Sequence, residues 1–597
     1  MNGTAIESIP QTTLLQRFAA IILLFLAVTV SYHRTIDNPF VWDDPILITQ
    51  NHLIQNPDNL KQLFTRNYFT QGIEISYRPV NTLTFFSDFA LWGNRPAGYH
   101  LINLLLHFFN SLLLFGLLAR LLRRPWLGLG MAVIFAVHPV LTEALNAVTF
   151  REDPLCLFFL LISFTLYISR SDGGRAAGAL KCAGAFLTFF LALFTKETAV
   201  VFPAVILAAE YFISENPSRK KALASFALFS LPAIFYLFVR FGPMRGPAES
   251  VIYHGGGPWP TALLAIQAWA RYFTLFIWPA RLCVTHEFPV SPRFFDASTL
   301  SAVFVLIAVA ACILIACLRV KRAGFGAVWF VLMLLPVSNI IPIGVVMAER
   351  YIYMAMPGLL IFAGFVLKDF FLRDGNKYPS LSRVVLTVLV VVLAVLAAVA
   401  TNNRNKVWDN TISFWKAACD CAPNSAYGFV NLGMVEFEAN KYEDAKTSLV
   451  RAVRLASGGT QNDLRYGTLY RALSNLGIVY AKENQPEKAI GLLKASARLN
   501  PNSPYSFMNL GVVYFKNGDD INAERFLLRG VELMPSNVQA RFYLLTIYMH
   551  SSKLKEALEQ CDAILSITPE DEGIRILRSK ITKRMSDLNS SKTDIND

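Results

Sequence analysis

The sequence has few charged residues for its length. Asp, Glu, Lys and Arg make up 16% of its 597 residues, whereas an average soluble domain is about 25% charged. Hydrophobic residues make up 54% of the chain. This composition excludes a disordered chain and a purely soluble protein, because neither tolerates long uncharged segments. The sequence therefore predicts an integral membrane protein.

Several chemical signatures are also missing. The eight cysteines form no CxxC pair or Cys/His cluster, so no zinc site is predicted. P-loop, GxGxxG, GxSxG and HExxH motifs are absent, so nothing supports nucleotide hydrolysis, dinucleotide redox chemistry, serine hydrolysis or zinc proteolysis. The net charge is +13. The basic residues form no stripe interleaved with stacking aromatics, so nucleic acid is not a predicted partner.

Most of the excess positive charge lies in the apolar part of the chain. Before Asn402 there are 30 basic and 20 acidic residues, against 25 and 22 from Asn402 onward. Eleven apolar segments are long enough to cross a bilayer. They are Leu14–Tyr32, Leu101–Leu122, Leu127–Val148, Leu155–Ile168, Ala179–Phe194, Ala199–Ile213, Ala222–Val239, Leu300–Leu318, Phe325–Ile343, Ile352–Leu367 and Val384–Ala400.

The basic residues also predict orientation. Five clusters occupy short loops, and all fall on one side of the membrane only if a further apolar stretch, Leu263–Leu282, does not span it. We therefore predict a cytoplasmic N-terminus, a first segment that acts as an anchor, and a C-terminal half on the other side. The clusters are Arg120/Arg123/Arg124, Arg170/Arg175/Lys181, Arg219/Lys220/Lys221, Arg319/Lys321/Arg322 and Lys368/Arg373/Lys377/Arg383.

The C-terminal part repeats with a period of 34 residues. Corresponding residues include Ala489, Ala523 and Ala557, and also Pro501, Pro535 and Pro569, the spacing and pattern of tetratricopeptide repeats. An earlier copy is offset by an insertion near residues 457–465. Such solenoids bind extended peptides in their concave groove or act as a scaffold or lid, and both interpretations stay open.

We accordingly predict an all-α protein with two domains. Residues 1–401 form a polytopic membrane domain with a long first outer loop at 33–99, and residues 402–587 form the repeat solenoid. Residues 588–597 are polar and predicted to be a disordered tail.

Ionisable residues gather at the predicted outer ends of the spans. Two acidic pairs, Asp43–Asp44 and Glu152–Asp153, lie there together with His138, Lys196 and Arg350. Adjacent carboxylates can be solvated loop charges, and lone cations can be snorkelling anchors. Their combination instead favours transfer of a lipid-linked sugar phosphate, since the acceptor hydroxyl needs a carboxylate base and the leaving phosphate needs positive charge.

The ordered motifs of the membrane part, followed by the repeats, resemble the transmembrane and tetratricopeptide-repeat containing O-mannosyltransferases and their bacterial relatives. The resemblance covers residues 14–581 and rests on the order of weak motifs. The motifs are Asp37–Asp44, Ser76–Val80, Tyr99–Asn103, His107, His138–Ala144, Arg151–Asp153, Thr195–Thr198 and Ala348–Tyr351.

The resemblance implies a GT-C fold with a polyprenyl-phosphate sugar as donor, dolichyl phosphate mannose in eukaryotes. It implies transfer to Ser or Thr hydroxyls of secreted or membrane proteins on the non-cytoplasmic face. The expected partners are this lipid donor, a protein acceptor bound by the repeats, and membrane lipid. No cofactor is expected, although an acidic pair could hold a divalent metal.

The resemblance also assigns residues. It assigns the role of base to Asp43 as the first choice, with Asp44 as its neighbour. Asp153, together with Glu152, matches a second acidic site. Position 152 is acidic where relatives often have a small residue. The donor phosphate is assigned to His138, Lys196, Arg350 and Arg78, and the further candidates are Glu197, Glu349 and His100.

Two further expectations complete the prediction. Short loops and few Asn-x-Ser/Thr sites favour a bacterial inner membrane with periplasmic repeats over the endoplasmic reticulum membrane and lumen. The alternative function is a non-catalytic, membrane-anchored repeat scaffold for assembly of envelope proteins.

Overall fold

The computed structural model describes residues 14–71, 74, 76–172, 174–215, 217–246, 253–372, 379–458 and 464–593. Within these ranges all regular structure is helical, which confirms the all-α prediction. The chain divides into two units, 1–417 and 418–597. The first unit extends beyond the predicted boundary at 401 because Trp408 is buried against Phe414, which in turn contacts Trp42 of the first loop.

The first unit consists of helices joined by short 3₁₀ segments. Several of the helices begin at proline, whose fixed φ and missing N–H suit the first helical position. The helices are α1 Leu14–Tyr32, α2 His52–Gln55, α3 Asn67–Gln71, α4 Pro79–Trp92, α5 Pro96–Leu122, α6 Pro125–Val137, α7 Thr142–Asn146, α8 Glu152–Ile168, α9 Arg175–Leu193, α10 Phe202–Phe212, α11 Arg219–Phe241, α12 Pro258–Ile277, α13 Ala297–Arg319, α14 Ala323–Leu334, α15 Ile352–Leu372 and α16 Pro379–Asn405. Helix α17, Thr411–Cys421, follows.

Fewer helices than the eleven predicted are long enough to cross a membrane. In the described part of the chain seven are long and apolar enough, namely α1, α5, α9, α11, α13, α15 and α16. An eighth would be a pair bent by 48° around His138. Helix α12 is not among them, and the prediction that Leu263–Leu282 does not span stays a prediction.

Proline explains why the other four predicted segments are not among these long helices. A proline removes a backbone donor and clashes with the preceding turn, so a helix bends or starts there. Pro139, Pro154, Pro203 and Pro336 each lie at such a break or helix start. Of the basic residues used to predict orientation, Arg373 and Lys377 lie outside the described residues.

The second unit is built of consecutive antiparallel helix pairs, as the 34-residue period predicts. Its pairs are α18 Ala426–Glu438 with α19 Tyr442–Ala456, α20 Leu464–Lys482 with α21 Pro486–Leu499, α22 Pro504–Lys516 with α23 Asp520–Leu533, and α24 Val538–His550 with α25 Leu554–Ile567. Gly511 allows one pair to approach closely, because a Cβ there would lie 2.6 Å from Leu527 Cγ.

The C-terminal end of the repeat region differs from the prediction in one respect. The last helix, α26, covers Glu572–Thr593, so residues 588–593 are helical and not the disordered tail that we predicted. Residues 594–597 lie outside the described residues, as do residues 459–463 of the predicted insertion.

Candidate active site

The second acidic site lies at the start of α8. Glu152 and Asp153 occupy its first turn, where unpaired backbone N–H groups and the helix dipole favour negative charge. Both side chains are buried. Asp153 Oδ2 lies 2.7 Å from Lys196 Nζ, whereas Asp153 Oδ1 has no hydrogen-bond partner among the described residues.

Two of the predicted phosphate-binding cations, Lys196 and Arg78, are each paired with two carboxylates. Lys196 also lies 3.4 Å from Glu152 Oε1. Arg78 immediately precedes α4 and donates from Nε and Nη2 to both oxygens of Glu197, at 3.0 and 2.8 Å. Its Nη1 lies 2.7 Å from Glu152 Oε1. Because a bidentate pair already uses most of the guanidinium donors, Arg78 would have to exchange partners to bind a phosphate.

The two aspartates of the first acidic pair have different environments. Asp44 is fully buried, and its carboxylate accepts four hydrogen bonds. The donors are Val41 N and Val148 N at 3.2 Å, and Thr149 N and Thr149 Oγ1 at 2.8 Å. Burial raises the pKa of Asp44 to about 6, although these hydrogen bonds act in the opposite direction. Asp44 thus fastens the loop between α1 and α2 to the segment that leads into α8.

Asp43 is half-buried, and none of the described residues donates a hydrogen bond to its carboxylate. Burial raises the pKa of Asp43 above its ordinary value, Arg350 lowers it, and Glu152 raises it. These interactions bring the first acidic pair, the second acidic site and Arg350 into one cluster, as the sequence predicts. Among the described residues of this cluster, the Asp43 carboxylate keeps the acceptor capacity of both oxygens, whereas Asp153 keeps that of Oδ1 alone.

The backbone just before Asp43 is strained. Trp42 has a φ of +59°, a left-handed conformation that is an outlier for a bulky residue. Its ring contacts Phe150 and Phe414, with centroids 5.3 and 5.5 Å away. Such strain persists only where the surrounding structure enforces it and concentrates at functional sites. The aromatic contacts hold the turn that presents Asp43.

Arg350 is the predicted cation with the fewest protein partners. Its one described side-chain hydrogen bond runs from Nη1 to Glu143 Oε1. Three aromatic rings surround the guanidinium carbon, with centroids 4.0 Å away for Phe150, 5.1 Å for Tyr351 and 5.8 Å for Trp42. The remaining N–H groups of Arg350 keep their donor capacity.

Three other predicted residues have structural partners. His138 ends α6, where its Nδ1 accepts from Val140 N and its Nε2 lies 3.1 Å from Phe276 O. This pattern fits a neutral ring with the proton on Nε2, assigned from the hydrogen bonds. His100 is buried with Nε2 3.2 Å from Asn38 O. Glu349 is fully buried and accepts from Cys283 N at 2.5 Å.

Two residues of the motifs have contacts that the sequence did not indicate. Arg151 is fully buried and binds Asp88 Oδ2 at 2.5 Å, Thr84 Oγ1 at 3.0 Å, Asn103 Oδ1 at 2.7 Å and Tyr99 O at 3.0 Å. It therefore joins α4 and α5 to the start of α8. Glu143 pairs with Arg350. A carboxylate within an apolar segment is the sequence signal that could have identified Glu143 as part of the site.

The side chains that could ligate a metal give no indication of a metal centre. Among the described residues, no group of three or more His, Cys, Asp or Glu side chains is arranged to hold a metal ion. The requirement for a metal or cofactor therefore stays a prediction, as do the roles assigned to the individual residues.

The fold and the buried ionic cluster define a class, that of multi-pass α-helical membrane proteins with a tetratricopeptide-repeat region. A tetratricopeptide-repeat family model matches residues 430–504. A repeat protein of Thermus thermophilus, TTC0263, is similar over 34% of this chain and 96% of its own, with 19% identity and a TM-score of 0.24.

Curated relatives match far more of the chain. Protein O-mannosyl-transferase Tmtc3 of Drosophila melanogaster is 24% identical over 89% of this chain and 65% of its own length. Human protein O-mannosyl-transferase TMTC1 is 24% identical over 68% of this chain and 52% of its own length. The resemblance seen in the motifs is confirmed: this chain is a relative of the transmembrane and tetratricopeptide-repeat O-mannosyltransferase family. It spans slightly less than two thirds of the length of the first such relatives, 62% and 65%.

Proposed function

We propose that this protein is a membrane glycosyltransferase. It moves mannose, or a similar hexose, from a polyprenyl-phosphate donor to Ser or Thr hydroxyls of a protein acceptor. The observation that carries this proposal is the meeting of Asp43, which keeps its acceptor capacity, with Arg350, which keeps donor capacity. The relatives named as O-mannosyltransferases support the same class of reaction.

The proposed reaction is an inverting displacement. Asp43 accepts the proton of the acceptor hydroxyl as its oxygen attacks the anomeric carbon, and the bond from that carbon to the phosphate oxygen breaks. Arg350 binds the phosphate as its negative charge develops. Lys196 pairs with Asp153 and holds it in place, and Arg78 does the same for Glu152 and Glu197. The repeats present the acceptor polypeptide.

In this proposal the cluster lies at the non-cytoplasmic surface. The basic loops orient the N-terminus to the cytoplasm and the repeats to the other side. A bacterial inner membrane is the proposed location, with the endoplasmic reticulum membrane as the alternative. Helix counting supports only a multi-pass membrane protein.

The test is transfer of radiolabelled mannose in membranes that contain the full chain. We expect alkali-labile label on Ser or Thr when dolichyl phosphate mannose is supplied, and no label when GDP-mannose is supplied without lipid carrier. Undecaprenyl phosphate glucose in parallel reports the choice of sugar. Label from GDP-mannose alone would contradict the lipid donor.

The scaffold alternative makes the opposite prediction. If the chain only recruits envelope proteins, residues 402–587 produced alone would restore the phenotype of cells that lack the protein. Our proposal predicts that the repeats alone do not restore it, because Asp43 and Arg350 lie in the first unit.

A further inference from the structure

Glu143 binds two consecutive residues of the chain that lie about two hundred positions away. Its Oε2 accepts from Glu349 N at 2.8 Å and from Arg350 N at 3.3 Å, while its Oε1 pairs with Arg350 Nη1. Glu143 is 1% exposed and Arg350 13%. One carboxylate thus fixes both the backbone and the side chain of Arg350.

Aromatic rings also lie close to the Arg350 guanidinium. Phe150, Tyr351 and Trp42 surround the guanidinium carbon at 4.0 to 5.8 Å from their centroids, distances typical of cation–π contact. Because a planar guanidinium held by a carboxylate at one edge and aromatic rings at its faces has few other rotamers, its remaining donors point in a defined direction.

The other two cations of the cluster lack this combination. Arg78 uses Nε and both terminal nitrogens on Glu152 and Glu197. Lys196 contacts two carboxylates at 2.7 and 3.4 Å. Arg350 is held by a single carboxylate and keeps more free donors than the other two cations, so its orientation decides where most of the available positive charge lies.

We propose that Glu143 is a positioning residue, which holds Arg350 in the orientation that binds the donor phosphate. This role rests on the proposed function. Glu143 itself does not touch the substrate; it acts through Arg350. A misplacement of about 1 Å at such a contact lowers the rate by about 100-fold.

The first experiment compares Glu143→Gln with Glu210→Gln in the full chain. Glu210 of α10 is also a buried carboxylate paired with an arginine, Arg170. This pair lies near the C-terminal end of α8, whereas the ionic cluster lies near its N-terminal end. We expect Glu143→Gln to lower the rate at limiting dolichyl phosphate mannose by about 10- to 100-fold, with the KM for the acceptor unchanged. Glu210→Gln should change neither. A comparable increase in the KM for the acceptor would indicate a general structural defect and overturn the proposal.

A double-mutant cycle then tests whether Glu143 acts through Arg350. In an Arg350→Gln background, Glu143→Gln should cause no further loss, because the group that it positions is already gone. If the two losses are independent and multiply, Glu143 acts by another route and the proposal is wrong.

A readout without turnover separates this inference from the proposed function. Phenylglyoxal labels arginine, and peptide mass spectrometry measures the rate at Arg350. We expect faster labelling in Glu143→Gln than in the wild type and in Glu210→Gln. An unchanged rate would overturn the positioning role even if transfer occurs. Absence of transfer in the wild type with faster labelling in Glu143→Gln would instead reject only the proposed function.

Discussion

A buried carboxylate pairs with arginine near each end of α8, Glu152 with Arg78 at its start and Glu210 of α10 with Arg170 just beyond its end. The two places differ in the hydrogen-bonding capacity that remains available. At the C-terminal end, Glu210 Oε1 accepts from Tyr167 Oη at 2.6 Å and Arg170 Nη2 at 2.5 Å, and Arg170 stacks on the Tyr167 ring. At the N-terminal end, about 25 Å away along the helix, carboxylates and cations of several segments meet.

The difference lies in the unused hydrogen-bonding capacity. In the described part of the chain, the Asp43 carboxylate accepts no hydrogen bond, Asp153 Oδ1 has no partner, and Arg350 makes a single side-chain hydrogen bond. Burying a charge is costly at either end and demands a partner. Charge burial alone therefore does not mark a site, whereas buried charge with unused donors and acceptors does.

The largest expected effect is on the stability of the structure around the N-terminal end of α8. Arg151→Met removes a buried ion pair with Asp88 and three further hydrogen bonds. Breaking one partner of a buried pair costs about 3–5 kcal/mol. We expect a large fall in the thermal midpoint of the detergent-solubilised protein. An unchanged midpoint would show that this end is not held by Arg151.

The next effect concerns chemistry at the same end. Arg350→Gln removes the cation that lowers the pKa of Asp43. Loss of one group that stabilises developing negative charge lowers turnover by about 100- to 1,000-fold, so transfer from dolichyl phosphate mannose should fall by this factor. Transfer within the error of the wild type would remove Arg350 from the proposed phosphate site.

A smaller effect is the pH dependence of transfer. A base must be ionised, and burial raises the pKa of Asp43 while Arg350 lowers it. Transfer should therefore fall on acidification at a pH above about 3.9, the ordinary aspartate value. In Arg350→Gln the residual rate should fall at a still higher pH, since the cation is gone. A pH–rate profile measures both, and an acidic limb at or below the ordinary value would contradict Asp43 as base.

The smallest expected effect is at the C-terminal end of α8. Glu210→Gln keeps an acceptor oxygen near Tyr167 and Arg170, so we expect unchanged transfer and a modest loss of stability of about 1–3 kcal/mol. A loss of transfer as large as that of Arg350→Gln would abolish the distinction between the two ends.

Much of this cluster was predictable from the sequence. Polar motifs at the ends of apolar segments gave Asp43, Asp153, Lys196 and Arg350, because ionisable groups are rare next to a membrane. The all-α class and the repeat pairs followed from long apolar runs and the 34-residue period.

The partners of these residues were not predictable. Glu143 and Arg350 are 207 positions apart, and no periodic pattern links them. The sequence comparison put Asp43 ahead of Asp44 as the base but could not show how their environments differ, since only folding places Val148 and Thr149 against Asp44. The number of full-length spans was overestimated because hydropathy does not register that Pro139 or Pro203 shortens a helix.

The most direct measurement compares Asp43→Asn with Asp44→Asn for both transfer and thermal stability. Asp43→Asn should lower transfer from dolichyl phosphate mannose by about 100- to 10,000-fold, the usual contribution of a general base, with an unchanged thermal midpoint. Asp44→Asn places an amide NH₂ against backbone donors, so it should lower the thermal midpoint and reduce transfer less. Full transfer in Asp43→Asn, or the reverse order of the two variants, would contradict the assignment of Asp43 as the base.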